Sequence, residues 1–323
     1  MVAYMEVHTA QISGISDKLP LKKRFVREIK KHKYVYLMAV PVILYYVIFS
    51  YIPMYGAQIA FRKYSLGGGF SDGEWVGLQY FADFMLGPYF WRLMRNTLMI
   101  SLKQLIFNFP APIILAILLN ELSSVKFKRT VQTVIYLPHF ISLVVICGLI
   151  RTFVSRDGFI TDFFVNFMGM NRANMLGSPE FFQPIYIISG IWQGVGWGSI
   201  VYLSALSGID VEQYEAAVVD GAGRFQQIIK ITLPGISPTI VTMLILQLGR
   251  TMSVGFEKII LLYNPSTYET ADVISSYVYR LGLAEGSQFS YTTAIGLFSS
   301  VINFILIIMA NSVSRKVNES GLW

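Results

Sequence analysis

Residues able to do covalent chemistry are few and scattered in this sequence. His8, His32 and His139 lie far apart and Cys147 is the one cysteine, so no spacing suits a metal or redox centre. No G-x-x-x-x-G-K-S/T loop is present to cradle nucleotide phosphates, and no G-x-S-x-G or H-E-x-x-H pattern supplies a nucleophile or metal site. The notable polar residues instead sit inside or beside long apolar runs: Arg95, Lys103, Gln104, Asn108, Gln193, Gln247, Arg250, Glu257 and Asn303. Such groups are costly in a membrane and face a bundle interior or water. Trp192 and Trp197 flank Gln193, and aromatic faces beside amides suit non-covalent binding of sugar rings. Each has a plainer reading as well. Trp192 fits an interfacial anchor, Arg95 a snorkelling charge at a helix end, and Lys103 and Arg250 partners for acids on a neighbouring subunit. The functional alternative for Lys103 and Arg250 is to offset negative charge on a solute.

The elements that would position these groups follow from composition. Of 323 residues, 54% are hydrophobic and only 14% charged, against about 25% charged in soluble domains. So few charges could not cover a soluble surface of this size, and 15% aromatic residues oppose disorder. The remaining class is an all-α polytopic membrane protein. A helix needs about 20 apolar residues to cross a core of about 30 Å. Six runs qualify: Val35 to Ala57, Leu93 to Leu119, Val131 to Phe153, Pro184 to Leu206, Ile236 to Phe256 and Tyr291 to Val313. The first reads as an uncleaved signal-anchor, since its apolar stretch exceeds a signal-peptide core. Prolines 41, 53, 110, 112 and 138 lie within or near the runs, where membrane helices tolerate them.

Lysine and arginine orient the bundle. Fifteen fall on one side: eight from Lys18 to Lys33, then Lys126, Lys128, Arg129, Arg224, Lys230, Arg315 and Lys316. Six fall on the other: Arg62, Lys63, Arg92, Arg156, Arg172 and Arg280. The richer side is cytoplasmic, which places both termini inside. The formal net charge of +7 is largely this orientation signal, and a basic cluster abutting a span does not call for nucleic acid. Leu21, Phe25 and Ile29 repeat at helical spacing among the basic residues, suiting a short helix on the inner leaflet as well as a solvated tail.

Between the fourth and fifth runs the cytoplasmic loop has a structure of its own. Asp210 and Gln213 form a capping-box-like start, and Glu212 and Glu215 lie where a helix N-terminus favours negative charge. The spacing predicts a short helix to Asp220, a turn at Gly221, and a second helix presenting Phe225, Ile228 and Ile229. That second helix is expected to end at Leu233-Pro234-Gly235. Apolar faces on a compact knob beside a membrane suit docking of another protein.

This loop resembles the EAA signature of permease subunits of binding-protein-dependent ABC importers. Glu215-Ala216-Ala217, three residues, Gly221, nine residues, then Ile231-x-Leu233-Pro234 matches its fixed positions. The segment IWQGVGWGSIVYLSALSGID resembles the sugar-permease branch. GFEKIILLYNPSTYETADVISSYVYRLGL and the ending ANSVSRKVNESGLW resemble the lipoprotein-associated permease subgroup, which includes subunits for oligosaccharides released from pectin and alginate. The resemblance covers nearly the whole chain from the first run.

The resemblance implies a type I importer permease fold in the bacterial cytoplasmic membrane, acting by alternating access. It implies a basic tail over 1–34, a permease domain over 35–313 holding the coupling loop 207–236, and a tail over 314–323. Partners would be a second, homologous permease subunit, an ATPase dimer, an extracytoplasmic solute-binding protein and an oligosaccharide. ATP and magnesium would sit on the ATPase, with no cofactor and no catalytic residue on this chain. Glu215 would pair with a basic group there, Ala216 and Ala217 would allow close approach, and Asp220, Gly221, Ile231, Leu233 and Pro234 would complete the motif. Lys103, Trp192, Gln193, Trp197, Gln247, Arg250 and Asn303 are the candidates for the substrate path. The competing classes are an ABC permease for a non-sugar solute, a secondary transporter and a membrane-embedded enzyme. Neither the internal repeats of secondary transporters nor the ionisable clusters of membrane enzymes are evident.

Overall fold

Proline lacks a backbone donor and its ring clashes with the carbonyl four residues earlier, so the prolines inside the apolar runs decide where helices can continue. The structure, a computed structural model, describes residues 30–65, 67–70, 72–286 and 288–318. The basic residues from Lys18 to Arg27, the Leu21, Phe25 and Ile29 repeat, and 319–323 lie outside the described residues. Four described segments are π-helical, and three of them, Val47–Tyr51, Gln104–Asn108 and Ile228–Thr232, lie inside long apolar helices. Each of these three ends two residues before a proline, Pro53, Pro110 or Pro234. The carbonyl four residues before each proline belongs to the middle residue of the π segment, Phe49, Ile106 or Lys230. Widening the helix there moves the obstructing carbonyl aside, and the helix passes through.

This mechanism corrects the expected end at Leu233-Pro234-Gly235. The helix that begins at Arg224 runs on to Leu248. A correction in the opposite sense falls on the third apolar run. Val125–Phe140 and Leu143–Phe153 are separate helices at 97° to one another. Leu137–Phe140, holding Pro138, tightens to a 3-10 turn, and Ile141 and Ser142 then take extended backbone with ψ of 134° and 137°.

The described elements are helices and turns, with one isolated antiparallel bridge between Arg62 and Trp75. The chain forms two units, Met1–Gln58 and Ile59–Trp323. The described part of the first is helix α1, which starts at Lys33 and ends at Phe61 in the second unit. The second unit holds α2 (Gln79–Leu86), α3 (Phe90–Asn120), α4 (Val125–Phe140), α5 (Leu143–Phe153), α6 (Phe159–Met168) and α7 (Pro179–Leu206). Then follow α8 (Val211–Val219), α9 (Arg224–Leu248), α10 (Phe256–Leu262), α11 (Tyr268–Ala271), α12 (Ile274–Tyr279) and α13 (Phe289–Asn318).

Among the described residues, α1, α3, α9 and α13 are each long and apolar enough to cross a membrane, and α4 with α5 makes a fifth if the bent pair is one span. Helix α7 has the length, 28 residues, but dilutes its apolar content with Gln183, Gln193, serines and glycines. The fifth run, expected to reach Phe256, stops at Leu248, so Arg250 lies in the turn that follows.

Three apolar clusters hold the second unit together. One joins Ile100 of α3, Ile146 and Ile150 of α5, Phe182 and Tyr186 of α7, and Ile259 of α10. Another joins Phe84, Leu93, Ile274, Tyr277 and Ile295. The third joins Ile113 and Ala116 of α3, Tyr202 and Leu206 of α7, and Ile236 of α9, with Ile209 packed against it. Helix α7 enters two of them and touches its neighbours through glycines, as membrane helices do when backbones approach closely. At Gly196 a β-carbon would lie 2.3 Å from the Ile135 carbonyl oxygen of α4. Gly196→Ala is therefore expected to lower the yield of monodisperse protein and its melting temperature in size-exclusion and thermal-shift measurements. Gly194→Ala, with nothing within 4 Å, should leave both unchanged.

Candidate functional site

The loop between α7 and α9 forms a rigid hairpin. Asp210 starts α8 by accepting the Glu212 amide on its carboxylate at 3.0 Å, while Gln213 N–H donates to the Asp210 carbonyl. The cap thus runs to the second residue of the helix, and Gln213 joins it through its backbone. At the other end the Gly221 amide donates to Val218 O at 3.0 Å and the Ala222 amide to Ala217 O at 2.8 Å. That pair of bonds is a Schellman motif, and it requires the left-handed φ of +77° found at Gly221. Asp220 is the last helical cap before the turn.

The returning strand of the hairpin is the start of α9. The Gly223 amide donates to Gln226 Oε1 at 3.1 Å, and Gln227 Nε2 donates to Ala222 O at 2.9 Å. Tyr214 OH and Thr232 Oγ1, 3.0 Å apart, tie the two arms, with Thr232 buried. Ile209 sits so close to α9 that a β-carbon on Gly235 would lie 2.7 Å from its Cδ1. The hairpin is thereby fixed to α7 and to α9 at its base, through the third apolar cluster.

Its outer surface combines exposed apolar side chains with the exposed acids Asp210, Glu212, Glu215 and Asp220. Val218, Val219 and Phe225 are 63%, 87% and 74% exposed. Glu215, Ala216, Asp220 and Pro234 are exposed, whereas Ala217, Ile231 and Leu233 are half-buried and Ile228 turns partly inward. The motif residues therefore divide: Glu215 and Ala216 face outward, and Ala217, Gly221, Ile231 and Leu233 build the hairpin.

The second region is a cleft among α3, α7 and α9, mostly apolar with a few polar side chains in its wall. One part, of about 310 Å³, is lined by Asn108, Pro112, Tyr202, Met243, Gln247 and Arg250, among others. A neighbouring part, of about 240 Å³, is lined by Ser101, Gln104, Gln247, Arg250 and Thr251 with leucines between. Asn108 donates to the Ile187 carbonyl at 3.5 Å, and its Oδ1 is buried without a partner among the described residues.

The candidate path residues are only partly brought together. Gln247 and Arg250 share both parts of the cleft. Lys103 turns to Gln183, donating to its Oε1 at 2.6 Å, and Gln183 donates onward to Thr270 O at 2.9 Å. Trp197 stacks on His139 with centroids 4.5 Å apart and planes at 3°. Trp192 is exposed and Gln193 half-buried on α7. Asn303 is taken up by the turn after α9, accepting the Met252 amide at 2.9 Å and donating to Ser253 Oγ at 3.1 Å. Arg95 pairs with Glu269 at 2.7 Å instead of standing alone at a helix end. Among the described residues neither Lys103 nor Arg250 makes an ion pair.

Two features escaped the sequence reading. Asp272, fully buried, accepts from Arg280 Nη2 at 2.8 Å, Arg92 Nη2 at 3.3 Å and Ser276 Oγ at 2.8 Å. Asn96 and Thr97 of α3 bind the same segment, at Asp272 O and the Ile274 amide. The spacing of four from Asp272 to Ser276 to Arg280 was the available signal, but Arg92 is far away in sequence. Lys258 is the other, buried on α10 and donating to Tyr186 O at 3.2 Å. Only the fold reveals that partner.

Residues 108–319 match the family described as "Binding-protein-dependent transport system inner membrane component". Protein LplB of Bacillus subtilis (strain 168) is 44% identical over 91% of this chain and 92% of its own length. The same organism's polygalacturonan/rhamnogalacturonan transport system permease protein YteP is 40% identical over 98% of this chain and 99% of its own. Among solved structures, a chain of a bacterial alginate ABC transporter, in complex with an alginate pentasaccharide-bound periplasmic protein, superposes with a TM-score of 0.84. It is 43% identical and covers 93% of this chain and 100% of that one. This chain therefore belongs to the inner membrane components of binding-protein-dependent transport systems, with their type I importer permease fold.

Proposed function

We propose that the chain is the permease subunit of an ATP-driven importer that carries oligosaccharides, acidic ones included, across the bacterial cytoplasmic membrane. The observation that carries this reading is the hairpin from Asp210 to Pro234. It is short and internally hydrogen-bonded, it exposes Glu215, Val218, Val219 and Phe225, and it continues into α9. A knob built this way transmits the motion of a separate ATPase chain to α7 and α9. In this reading α7 also crosses the membrane, giving six spans with both termini cytoplasmic. The tails 1–34 and 314–323 flank a permease domain over 35–313, and 207–236 is the coupling loop. A second permease subunit completes the pathway, a solute-binding protein delivers substrate, and ATP and magnesium reside on the ATPase while this chain binds no cofactor.

The substrate class rests on chemistry and likeness together. The relatives named for polygalacturonan/rhamnogalacturonan and for alginate handle acidic polymers. Here Arg250 and Gln247 line the cleft, and Arg250 and Lys103 carry positive charge without an ion-pair partner among the described residues. Lys103→Gln with Arg250→Gln should lower uptake of an acidic oligosaccharide about tenfold more than uptake of a neutral one, the loss that about 1.4 kcal/mol brings. The measurement is ATP-dependent uptake into proteoliposomes holding the assembled importer. Equal loss for both sugars would assign these charges to architecture, and uptake without ATP would overturn the importer itself.

A further inference from the structure

Helix α6 presents an apolar stripe that neither the hairpin nor the cleft uses. Phe159, Phe163 and Phe167 recur every four residues and so share one face, and they are 76%, 48% and 77% exposed. Phe163 and Phe167 stack with centroids 4.7 Å apart. The rest of the helix is spoken for. Ile160 and Phe164 pack against the first apolar cluster, and Thr161 is buried. Asp162 lies on the remaining side, where Arg172 Nη2 holds it at 2.6 Å and Arg172 Nη1 also reaches Asp157. Gly169, with φ of +66°, ends the helix. The cross-section thus has three sectors: one for the protein, one for water and one of bare phenylalanine.

We infer that this third sector is seated in the lipid bilayer, with the three phenyl rings among the acyl chains at the membrane boundary where α5 ends and α7 begins. Three observations choose lipid over other occupants. First, α6 is ten residues long, a rise of about 15 Å, too short to cross a core of about 30 Å. It must therefore stay at the boundary it enters. Second, the stripe continues the apolar surface that precedes it: Val145, Leu149 and Phe153 of α5 recur at the same spacing and are likewise exposed. Third, exposed Arg156 stands between the two stripes in sequence, where a guanidinium group meets lipid phosphates while its stem stays in the apolar layer. An interfacial helix has this makeup, an apolar face beside a charged one.

The helix would act as a float that fixes the depth of the bend between α5 and α7. This inference needs only the membrane location of the chain, and it holds or fails independently of the substrate. The test places a nitroxide at Phe159→Cys, Phe163→Cys or Phe167→Cys, each in a Cys147→Ser background. The full chain with its copurifying subunits is reconstituted in nanodiscs of phosphatidylcholine and phosphatidylglycerol. Expected is a label reached by oxygen in preference to a water-soluble nickel chelate, at a depth of about 5–10 Å below the phosphates. Asn166→Cys, on the polar side, should show the opposite preference. Preferred collision with the nickel chelate at the three phenylalanine positions would overturn the inference by placing the stripe in water. Shielding from both reagents would overturn it by showing that another subunit covers the stripe.

Discussion

Glu215→Lys and Gly221→Pro should each abolish uptake while leaving the chain inserted and folded. The two act through different physics. Glu215 is exposed on the hairpin, and no hydrogen bond or ion pair holds its side chain among the described residues, so reversing its charge costs the fold little. At a docked surface the reversal removes an attraction and installs a repulsion, which costs about 2–5 kcal/mol, or roughly 30-fold and upward in occupancy. A β-carbon at Gly221 would meet nothing within 4 Å, but its φ of +77° is closed to proline, which is fixed near −65°. Proline also deletes the amide that donates to Val218 O. Loss of the left-handed turn and its bond together costs about 2–3 kcal/mol locally. That is enough to redirect the arm holding Phe225, yet it is confined to a loop whose base is anchored by Ile209 and Thr232. Gly221→Ala, strained but able to keep the amide, should retain part of the activity. ATP-dependent uptake in proteoliposomes, read beside thermal melting of the same preparations, separates coupling from folding. Wild-type uptake by both Glu215→Lys and Gly221→Pro would remove the hairpin from the coupling path.

The sequence exposes the hairpin because its determinants are local. Asp210, Gly221 and the acidic first turn of α8 act within a few residues of themselves, and spacing is enough to read them. The apolar runs are legible for the same reason. Helix ends near prolines are not, because proline both breaks helices and rides through them. At Pro234 a π segment absorbs the missing donor, while after Pro138 the chain turns by 97°. Both outcomes arise at a proline inside an apolar stretch, and no local pattern distinguishes them.

The polar residues show the same limit from another side. Reading them by depth in an apolar run grouped Lys103, Asn303 and Arg250 together. The fold separates them: Asn303 serves the turn at Met252 and Ser253, Lys103 meets Gln183, and Arg250 opens onto the cleft beside Gln247. Their partners are 51 and 80 positions away in the first two cases, beyond any periodicity. Arg92 and Arg280, loop charges by sequence, are also the partners of buried Asp272.

Asp272→Ala should be the most destabilising single change in the second unit. The carboxylate is fully buried and holds two guanidinium groups that are themselves only 25% and 19% exposed. Building such a cluster gains little net stability, because desolvation offsets the attraction, but removing one member leaves the others buried and unpaired. The expected cost is about 3–5 kcal/mol, a melting-temperature drop on the order of 10 °C for a chain of this size. Asp272→Asn keeps an acceptor for Ser276 and should fall between. The loss would be felt along α11 and α12, because Asn96 and Thr97 of α3 grip the same backbone. Helix α12 lines the cleft around Ile274, Tyr279 and Leu283, so uptake should fall even where folded protein survives. A double-mutant cycle tests the cause. If Asp272 acts by neutralising Arg280, then Arg280→Met should cost much less in the Asp272→Ala background than in the wild type. Additive losses would mean that the two residues stabilise the segment separately, and an unchanged melting temperature in Asp272→Ala would mean that Asn96 and Thr97 suffice to hold it.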